Sequence, residues 1–183
     1  MVLTREPSRA LKAPAYRLGA ATLFVSVAAI VSALAFEHIG GYRPCPLCLM
    51  QRWAYYAGIP LTFVALVGLS AGYARFAGLL LILVALGFLA NAGIAVYHAG
   101  VEWHLWAGPD TCAGTGGTEL SASAQDLLRE LSTTRVVRCD EAPWEFLGLS
   151  FAGWNAVISA ALFVTALRAG SRALSQAPAE PPA

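Results

Sequence analysis

Charged residues are scarce in this chain of 183 residues. Asp, Glu, Lys and Arg make up 13% of the sequence, whereas hydrophobic residues make up 57%. Soluble domains usually carry about 25% charged residues, so the composition excludes an ordinary soluble domain and indicates a membrane protein. The sequence also lacks a basic stripe or a nucleic-acid-binding motif, and its net charge is only +1, which argues against a nucleic-acid partner.

A cleavable secretory signal is not predicted either. The apolar run from Leu18 to Phe36 is long enough to cross a bilayer, and no convincing small-residue cleavage site follows it. Together with three further apolar runs of the ~20 residues that a bilayer core requires, it predicts four membrane spans. These cover residues 16–36, 53–71, 76–97 and 149–167.

The spans predict an all-α membrane protein, a four-helix transmembrane bundle in a single membrane domain over residues 16–168. Short tails precede and follow it, over residues 1–15 and 169–183. The outer loops are expected over residues 37–52 and 98–148, and the second, longer loop is expected to contain a short helix from about Leu120 to Leu131, where apolar residues recur at helical spacing.

Lys and Arg are distributed unequally between the two sides of this bundle. The side that holds both tails has a net charge of +5, and the opposite side has a net charge of −4. The cations on the first side are Arg5, Arg9, Lys12, Arg17, Arg75, Arg168 and Arg172. Because positive residues near the spans stay cytoplasmic, both termini are predicted inside and all four cysteines outside, in an oxidising compartment.

The first two cysteines form a Cys-x-x-Cys pair, Cys45 and Cys48, with Pro46 between them. Pro favours the first position of a helix, so Cys45 is predicted to be the N-cap and Cys48 to lie in the first turn. The helix dipole then favours a thiolate at Cys48. Arg52 follows one turn later on the same face, where its charge adds to that effect and its N–H groups suit a quinone carbonyl.

Other interpretations of these residues remain open. Arg52 alone is typical of an interfacial anchor that reaches to lipid headgroups. The Cys-x-x-Cys pair is also compatible with a structural disulfide or half of a zinc site, but Cys112 and Cys139 do not form a second such pair, so no metal site is predicted.

The other two cysteines, Cys112 and Cys139, lie in the long outer loop among polar residues. A structural disulfide between them would contribute roughly 3–4 kcal/mol by closing the loop. The functional interpretation is that an external thiolate attacks an exposed disulfide here and transfers two electrons, after which the loop approaches the first pair.

In this arrangement the chain resembles the disulfide bond formation protein B (DsbB) family. The resemblance covers nearly the whole chain and is most specific in residues 45–52, CPLCLMQR, and 139–150, CDEAPWEFLGLS. It implies a quinone-dependent protein-disulfide oxidoreductase of a bacterial inner membrane, with its cysteines in the periplasm. It also implies a DsbA-like thioredoxin-fold partner and a quinone, ubiquinone or menaquinone, as electron acceptor.

The resemblance also implies roles for individual residues. Cys112–Cys139 would accept electrons from the partner, with Cys112 as the attacked position, and would pass them to Cys45–Cys48. Cys48 would meet the quinone, which Arg52 would hold and polarise. His98 falls where family members place a further quinone-proximal histidine; the alternative is an interfacial histidine bound by backbone groups.

Aromatic and amide side chains complete the set of candidates. An aromatic belt is expected at the outer interface, where Trp53 or Trp144 would also suit a quinone wall. Asn91 and Asn155, inside the spans, are predicted to form interhelical hydrogen bonds.

Two other functions compete with the oxidoreductase. One is a small transporter or scaffold with purely structural disulfides, which offers no reason for Arg52 beside Cys48. The other is an enzyme of the vitamin K epoxide reductase type, in which the Cys-x-x-Cys falls late in the bundle rather than before the second helix.

Overall fold

The computed structural model describes residues 14–108, 139–140 and 142–176. In this part of the chain four helices and one short hairpin follow each other: α1 (Pro14–His38), α2 (Pro46–Ser70), α3 (Ala74–Glu102), β1 (Glu145–Phe146), β2 (Leu149–Ser150) and α4 (Phe151–Ser175). Cys112 and the helix predicted from Leu120 to Leu131 lie outside the described residues.

All four helices are long and apolar enough to cross a membrane, which confirms the predicted four-helix bundle. Each is apolar around most of its circumference, so large side chains such as Phe24, Phe63 and Leu83 remain more than half exposed on the outside of the bundle. In water such a surface would be unfavourable, whereas lipid solvates it.

The helices form a closed ring in which each packs against two neighbours, in the order α1, α2, α3 and α4. The centre of the bundle holds a buried cluster that includes Tyr55, Phe88 and Leu162, with the rings of Tyr55 and Phe88 packed edge to face. Between the large side chains, small residues such as Ala85 and Ala166 are fully buried and let the backbones approach.

The helices α3 and α4 approach each other closely at Gly78 and Gly170. A Cβ atom on Gly170 would lie 2.9 Å from the Gly78 carbonyl oxygen and 2.9 Å from Ile82 Cγ1. The contact is with backbone as well as a side chain, so it cannot be relieved by a rotamer change alone. Glycine is therefore required here by the helix crossing.

We expect Gly170→Leu to destabilise the bundle by roughly 1–3 kcal/mol, because the new side chain would force α3 and α4 apart. Thermal unfolding of purified protein in detergent measures this. Gly87→Leu is the matched control, because a Cβ atom on Gly87 meets nothing within 4 Å. Equal midpoints for the two variants would contradict a close crossing at Gly170.

The helices differ from the predicted spans mainly at their ends. The predicted outer loop 37–52 is too long, because α2 already begins at Pro46 and includes Cys48 and Arg52. Likewise α3 continues to Glu102 and α4 continues to Ser175, so the latter extends into the predicted tail. Polar residues lower the hydropathy of these turns, whereas backbone hydrogen bonding continues through them.

The hairpin before α4 was not predicted from the sequence. Glu145 pairs with Ser150 and Phe146 with Leu149, and Leu147 and Gly148 form the turn with φ values of 53° and 76°. Two consecutive positive φ values are typical of the tight turns that join twisted antiparallel strands.

This hairpin is anchored to α4. The indole nitrogen of Trp154 donates a hydrogen bond to the Phe146 carbonyl at 3.0 Å. Ser150 then ends the hairpin and caps α4, with its hydroxyl accepting the Gly153 N–H at 3.2 Å. The hairpin thereby holds the preceding residue, Trp144, against Phe36 near the end of α1 and Phe151 at the start of α4.

Candidate functional site

Cys45 and Cys48 lie at the N-terminus of α2, and the predicted cap is confirmed. Cys45 is the N-cap and Pro46 the first helical residue, and the Cys45 sulfur accepts the Cys48 backbone N–H at 3.3 Å. The two sulfur atoms are 3.1 Å apart and both cysteines are free thiols. Cys45 is buried, whereas Cys48 is only partly buried.

His98 on α3 contacts this pair. Its Nε2 lies 3.5 Å from the Cys45 sulfur, and its Nδ1 lies 2.9 Å from Gln51 Nε2. The side chain is 2% exposed, so the alternative of an interfacial histidine bound by backbone groups is wrong. Both ring nitrogens instead contact side chains of α2 and its N-cap.

Cys139, in the segment between α3 and α4, lies at the same place. It is 1% exposed and packs in one buried cluster with Cys45, Leu47 and Val101, so the prediction of an exposed disulfide is wrong at this cysteine. It is disulfide-bonded, so the described residues contain one cysteine in a disulfide beside two free thiols. The pairing of Cys139 with Cys112 stays a prediction, because Cys112 lies outside the described residues.

Half of a zinc site was one alternative interpretation of the Cys-x-x-Cys pair, and three potential zinc ligands do lie close together beside it. The sulfur atoms of Cys45 and Cys139 and one ring nitrogen of His98 all lie within 4.8 Å of one another. In this state, however, the Cys139 sulfur is in a disulfide and is not a thiolate ligand. The same proximity places the Cys45 thiol beside the disulfide-bonded sulfur of Cys139.

Arg52 lies one turn beyond Cys48, as predicted, but its partner was not predicted. Its Nη1 lies 2.5 Å from Glu37 Oε2 at the end of α1. The side chains of Arg52 and Glu37 are only 12% and 25% exposed, which distinguishes Arg52 from an anchor that extends to the headgroups. A partly buried cation at this depth is held by an acid from a neighbouring helix.

Arg52, Cys48 and His98 line the same cavity, which has a volume of about 930 Å³. Residues of all four helices line it. One part of its wall is aromatic, where Phe36, Trp144 and Phe151 pack against one another with ring centroids 4.8–5.4 Å apart. Trp144 therefore lines the cavity, whereas the other candidate wall residue, Trp53, is 71% exposed.

A chain of hydrogen-bonded side chains leads from His98 into the bundle; we call it the polar chain. Asn155 Nδ2 donates to Gln51 Oε1 at 2.5 Å, and Tyr55 Oη donates to Asn155 Oδ1 at 2.6 Å. Asn91 Nδ2 donates to Ser159 Oγ at 2.9 Å. The interhelical bonds predicted for Asn91 and Asn155 are thereby confirmed.

Gln51, Tyr55 and Glu102 were not singled out from the sequence. Gln51 could have been suspected, because it follows Cys48 by three residues and shares its helical face. Glu102 is on the same face of α3 as His98, and its Oε1 lies 3.9 Å from His98 Nε2, while the Ser150 hydroxyl donates to its other oxygen. Its side chain is only 4% exposed.

These contacts favour a thiolate at Cys45 rather than at Cys48, where the sequence had suggested one. A hydrogen bond from the Cys48 thiol lowers the pKa of Cys45 most, burial opposes this, and the contact with His98 lowers it further, to about 4. The helix N-terminus contributes a hydrogen bond to a sulfur atom, as predicted. The donor is the backbone N–H of Cys48 in the first turn, and the acceptor is the sulfur of the N-cap residue, Cys45.

We expect Cys45 to react as a thiolate across the neutral range. With a pKa of about 4, its alkylation rate in the reduced protein should change less than about twofold between ~pH 6 and ~pH 8. The rate for a free thiol such as glutathione rises nearly tenfold per pH unit below its pKa of ~8.5–9. Tandem mass spectrometry locates the label, and a similar rise for Cys45 would contradict the lowered pKa.

Sequence comparisons point to one family. The profile described as "Disulfide bond formation protein DsbB" matches residues 16–169. A "Disulfide bond formation protein B" of Marinobacter nauticus is 33% identical over 148 residues, which cover 77% of this chain and 84% of the relative. Proteins of the same description from Polaromonas naphthalenivorans and Xylella fastidiosa are 29% and 31% identical, covering 82% and 75% of this chain and 88% and 79% of the relatives. No solved structure matches significantly.

Proposed function

Because the chain belongs to the disulfide bond formation protein B (DsbB) family, we propose that it reoxidises a periplasmic DsbA-like dithiol oxidase and passes the electrons to a membrane quinone. It would thereby support disulfide formation in exported proteins. The observation that carries this proposal is one buried junction, in which the Cys45 sulfur lies within 4.8 Å of the disulfide-bonded sulfur of Cys139.

The proximity of Cys45 and Cys139 supports thiol–disulfide exchange between the two pairs. When the partner has reduced Cys112–Cys139, the Cys139 thiolate attacks the Cys45 sulfur of an oxidised Cys45–Cys48 pair. The Cys139–Cys45 bond forms, the Cys45–Cys48 bond breaks, and Cys48 leaves as a thiolate. Cys112 then attacks Cys139, which restores the loop disulfide and releases Cys45 as a thiolate.

The cavity beside Cys48 fits a quinone. Its volume of about 930 Å³ lies within the range of small-molecule sites, and its aromatic wall suits a flat, apolar ring. Arg52 and His98 would orient the carbonyl groups, and Cys48 would face the ring. A bound ubiquinone or menaquinone accepts two electrons and two protons, which balances oxidation of the two thiols to a disulfide.

The charge distribution supports the orientation of the chain. We propose that it is a multi-pass protein of a bacterial inner membrane with both termini in the cytoplasm and its cysteines in the periplasm. In the membrane domain, residues 16–168, the site would then lie at the periplasmic end. The tails, residues 1–15 and 169–183, would be cytoplasmic.

Reconstitution tests this function. Purified protein with ubiquinone-1 should oxidise a reduced DsbA-like protein over many turnovers, with one quinone consumed per dithiol oxidised. Thiol trapping during turnover should show both cysteine pairs cycling between reduced and oxidised forms. Pairs that stay oxidised while the reduced partner is present would instead identify structural disulfides, as expected for a transporter or scaffold.

A further inference from the structure

The hydrogen bonds of His98 define which ring nitrogen carries its proton. Gln51 Nε2 lies 2.9 Å from His98 Nδ1, and an amide nitrogen can only donate. Nδ1 is therefore the acceptor. A neutral imidazole has a single N–H, so the proton is on Nε2, the nitrogen that lies 3.5 Å from the Cys45 sulfur.

The polar chain determines the orientation of the Gln51 amide. Its oxygen accepts the Asn155 N–H, and the Asn155 oxygen accepts the hydroxyls of Tyr55 at 2.6 Å and Ser159 at 3.4 Å. Rotating the Gln51 amide alone would bring its NH₂ group against that of Asn155. The orientation of one amide is thus held by donors on α2 and α4.

We propose that Gln51 is a positioning residue that keeps His98 as an Nε2–H donor to the Cys45 sulfur. The proposal rests on the function proposed above, in which Cys45 must leave as a thiolate when the loop disulfide is restored. A hydrogen bond to the departing sulfur stabilises that thiolate and speeds the exchange, because thiols of lower pKa leave faster.

Several other charged or titratable groups surround this contact. Cys48 lies 3.1 Å from Cys45, Glu102 lies 3.9 Å from His98 Nε2, and Glu145 acts electrostatically on Glu102. Arg52 and Glu37 line the same cavity as an ion pair. All of these groups remain when the neutral Gln51 is changed to another neutral residue, so a change in Cys45 reactivity would report the hydrogen-bond geometry.

Gln51→Met tests the proposal, because methionine keeps the length of the side chain but cannot donate to Nδ1. Nitrogen NMR of the reduced wild-type protein should find the His98 proton on Nε2. In the variant this preference should be lost, and the pH midpoint of Cys45 alkylation should rise by about one unit, a tenfold change. The rate of partner oxidation should fall in parallel.

Thr62→Val is the matched control. Thr62 is also buried in α2, but its hydroxyl donates to the Gly58 carbonyl within the helix. This variant removes a buried hydrogen bond from the same helix without touching the polar chain, so it should leave the His98 tautomer and the alkylation midpoint unchanged.

Asn155→Leu provides a second route if Gln51→Met does not fold. It removes the donor that orients Gln51 and should shift the midpoint of Cys45 alkylation in the same direction. The double variant, Gln51→Met with Asn155→Leu, should be shifted no further than Gln51→Met alone. An Nδ1 proton in the wild type, or an unchanged midpoint in both variants, would overturn the proposal. Neither the NMR measurement nor the alkylation measurement needs quinone turnover. A failure of the proposed oxidoreductase function would therefore be seen separately, because the wild-type protein would then show no turnover.

Discussion

Cys48→Ser is expected to abolish quinone reduction by this protein. Serine keeps the size and hydrogen bonding of the side chain, but its oxygen cannot form a disulfide with Cys45, so the pair can no longer release two electrons. We expect turnover with ubiquinone-1 and a reduced DsbA-like protein to fall on the order of a thousandfold or more, as for other members of a catalytic unit. Loss of quinone absorbance and trapping of partner thiols measure it.

Met50→Ser is the control for this experiment. Met50 lies in the same region of α2, but it is 54% exposed and does not line the cavity. The control introduces the same residue near the same helix end and should leave turnover close to that of the wild type. Full activity of Cys48→Ser would refute the proposed route of electrons through the first cysteine pair.

Arg52→Gln is expected to weaken quinone binding strongly. Hydrogen bonds to charged groups contribute about 1.5–3 kcal/mol, so the KM for ubiquinone-1 should rise roughly 10- to 100-fold. Initial rates at varied quinone concentration measure this effect. Arg52→Lys keeps the charge but not the planar donor geometry, and should recover only part of the loss.

Glu37→Gln separates two explanations for weaker quinone binding in Arg52→Gln. If Arg52 acts on the quinone, removing its acidic partner leaves the guanidinium in the cavity, and the KM should change much less than in Arg52→Gln. If the ion pair merely holds α1 against α2, the two variants should behave alike. An unchanged KM in Arg52→Gln would remove Arg52 from the proposed quinone site.

Much of the fold follows from hydropathy alone. Four runs of about 20 apolar residues predicted four spanning helices, and the structure has them. The helix ends were less predictable. Residues such as Gln51 and Arg52 lower the local hydropathy, but each has a polar partner on another helix, so α2 includes them. Such partners are distant in sequence, and hydropathy gives no sign of them.

The candidate site was predictable to a similar extent. The spacing of Cys45, Pro46 and Cys48 predicted the N-cap, and the helical repeat predicted that Arg52 shares a face with Cys48. The sequence favoured a thiolate at Cys48, whereas the contacts in the structure favour one at Cys45. The helix dipole alone does not distinguish the two sulfurs, whereas the positions of the Cys48 N–H and the His98 ring do.

The sequence by itself determined the number of helices, the cap that places a Cys-x-x-Cys pair at a helix N-terminus, and the family, because these depend on composition and on residues close in the chain. Only the tertiary structure decided that Cys139 meets Cys45, that Glu37 pairs with Arg52 and that the Gln51 amide contacts the His98 ring. Each of these contacts joins residues on different elements, and the directions of their hydrogen bonds are set only when the helices pack.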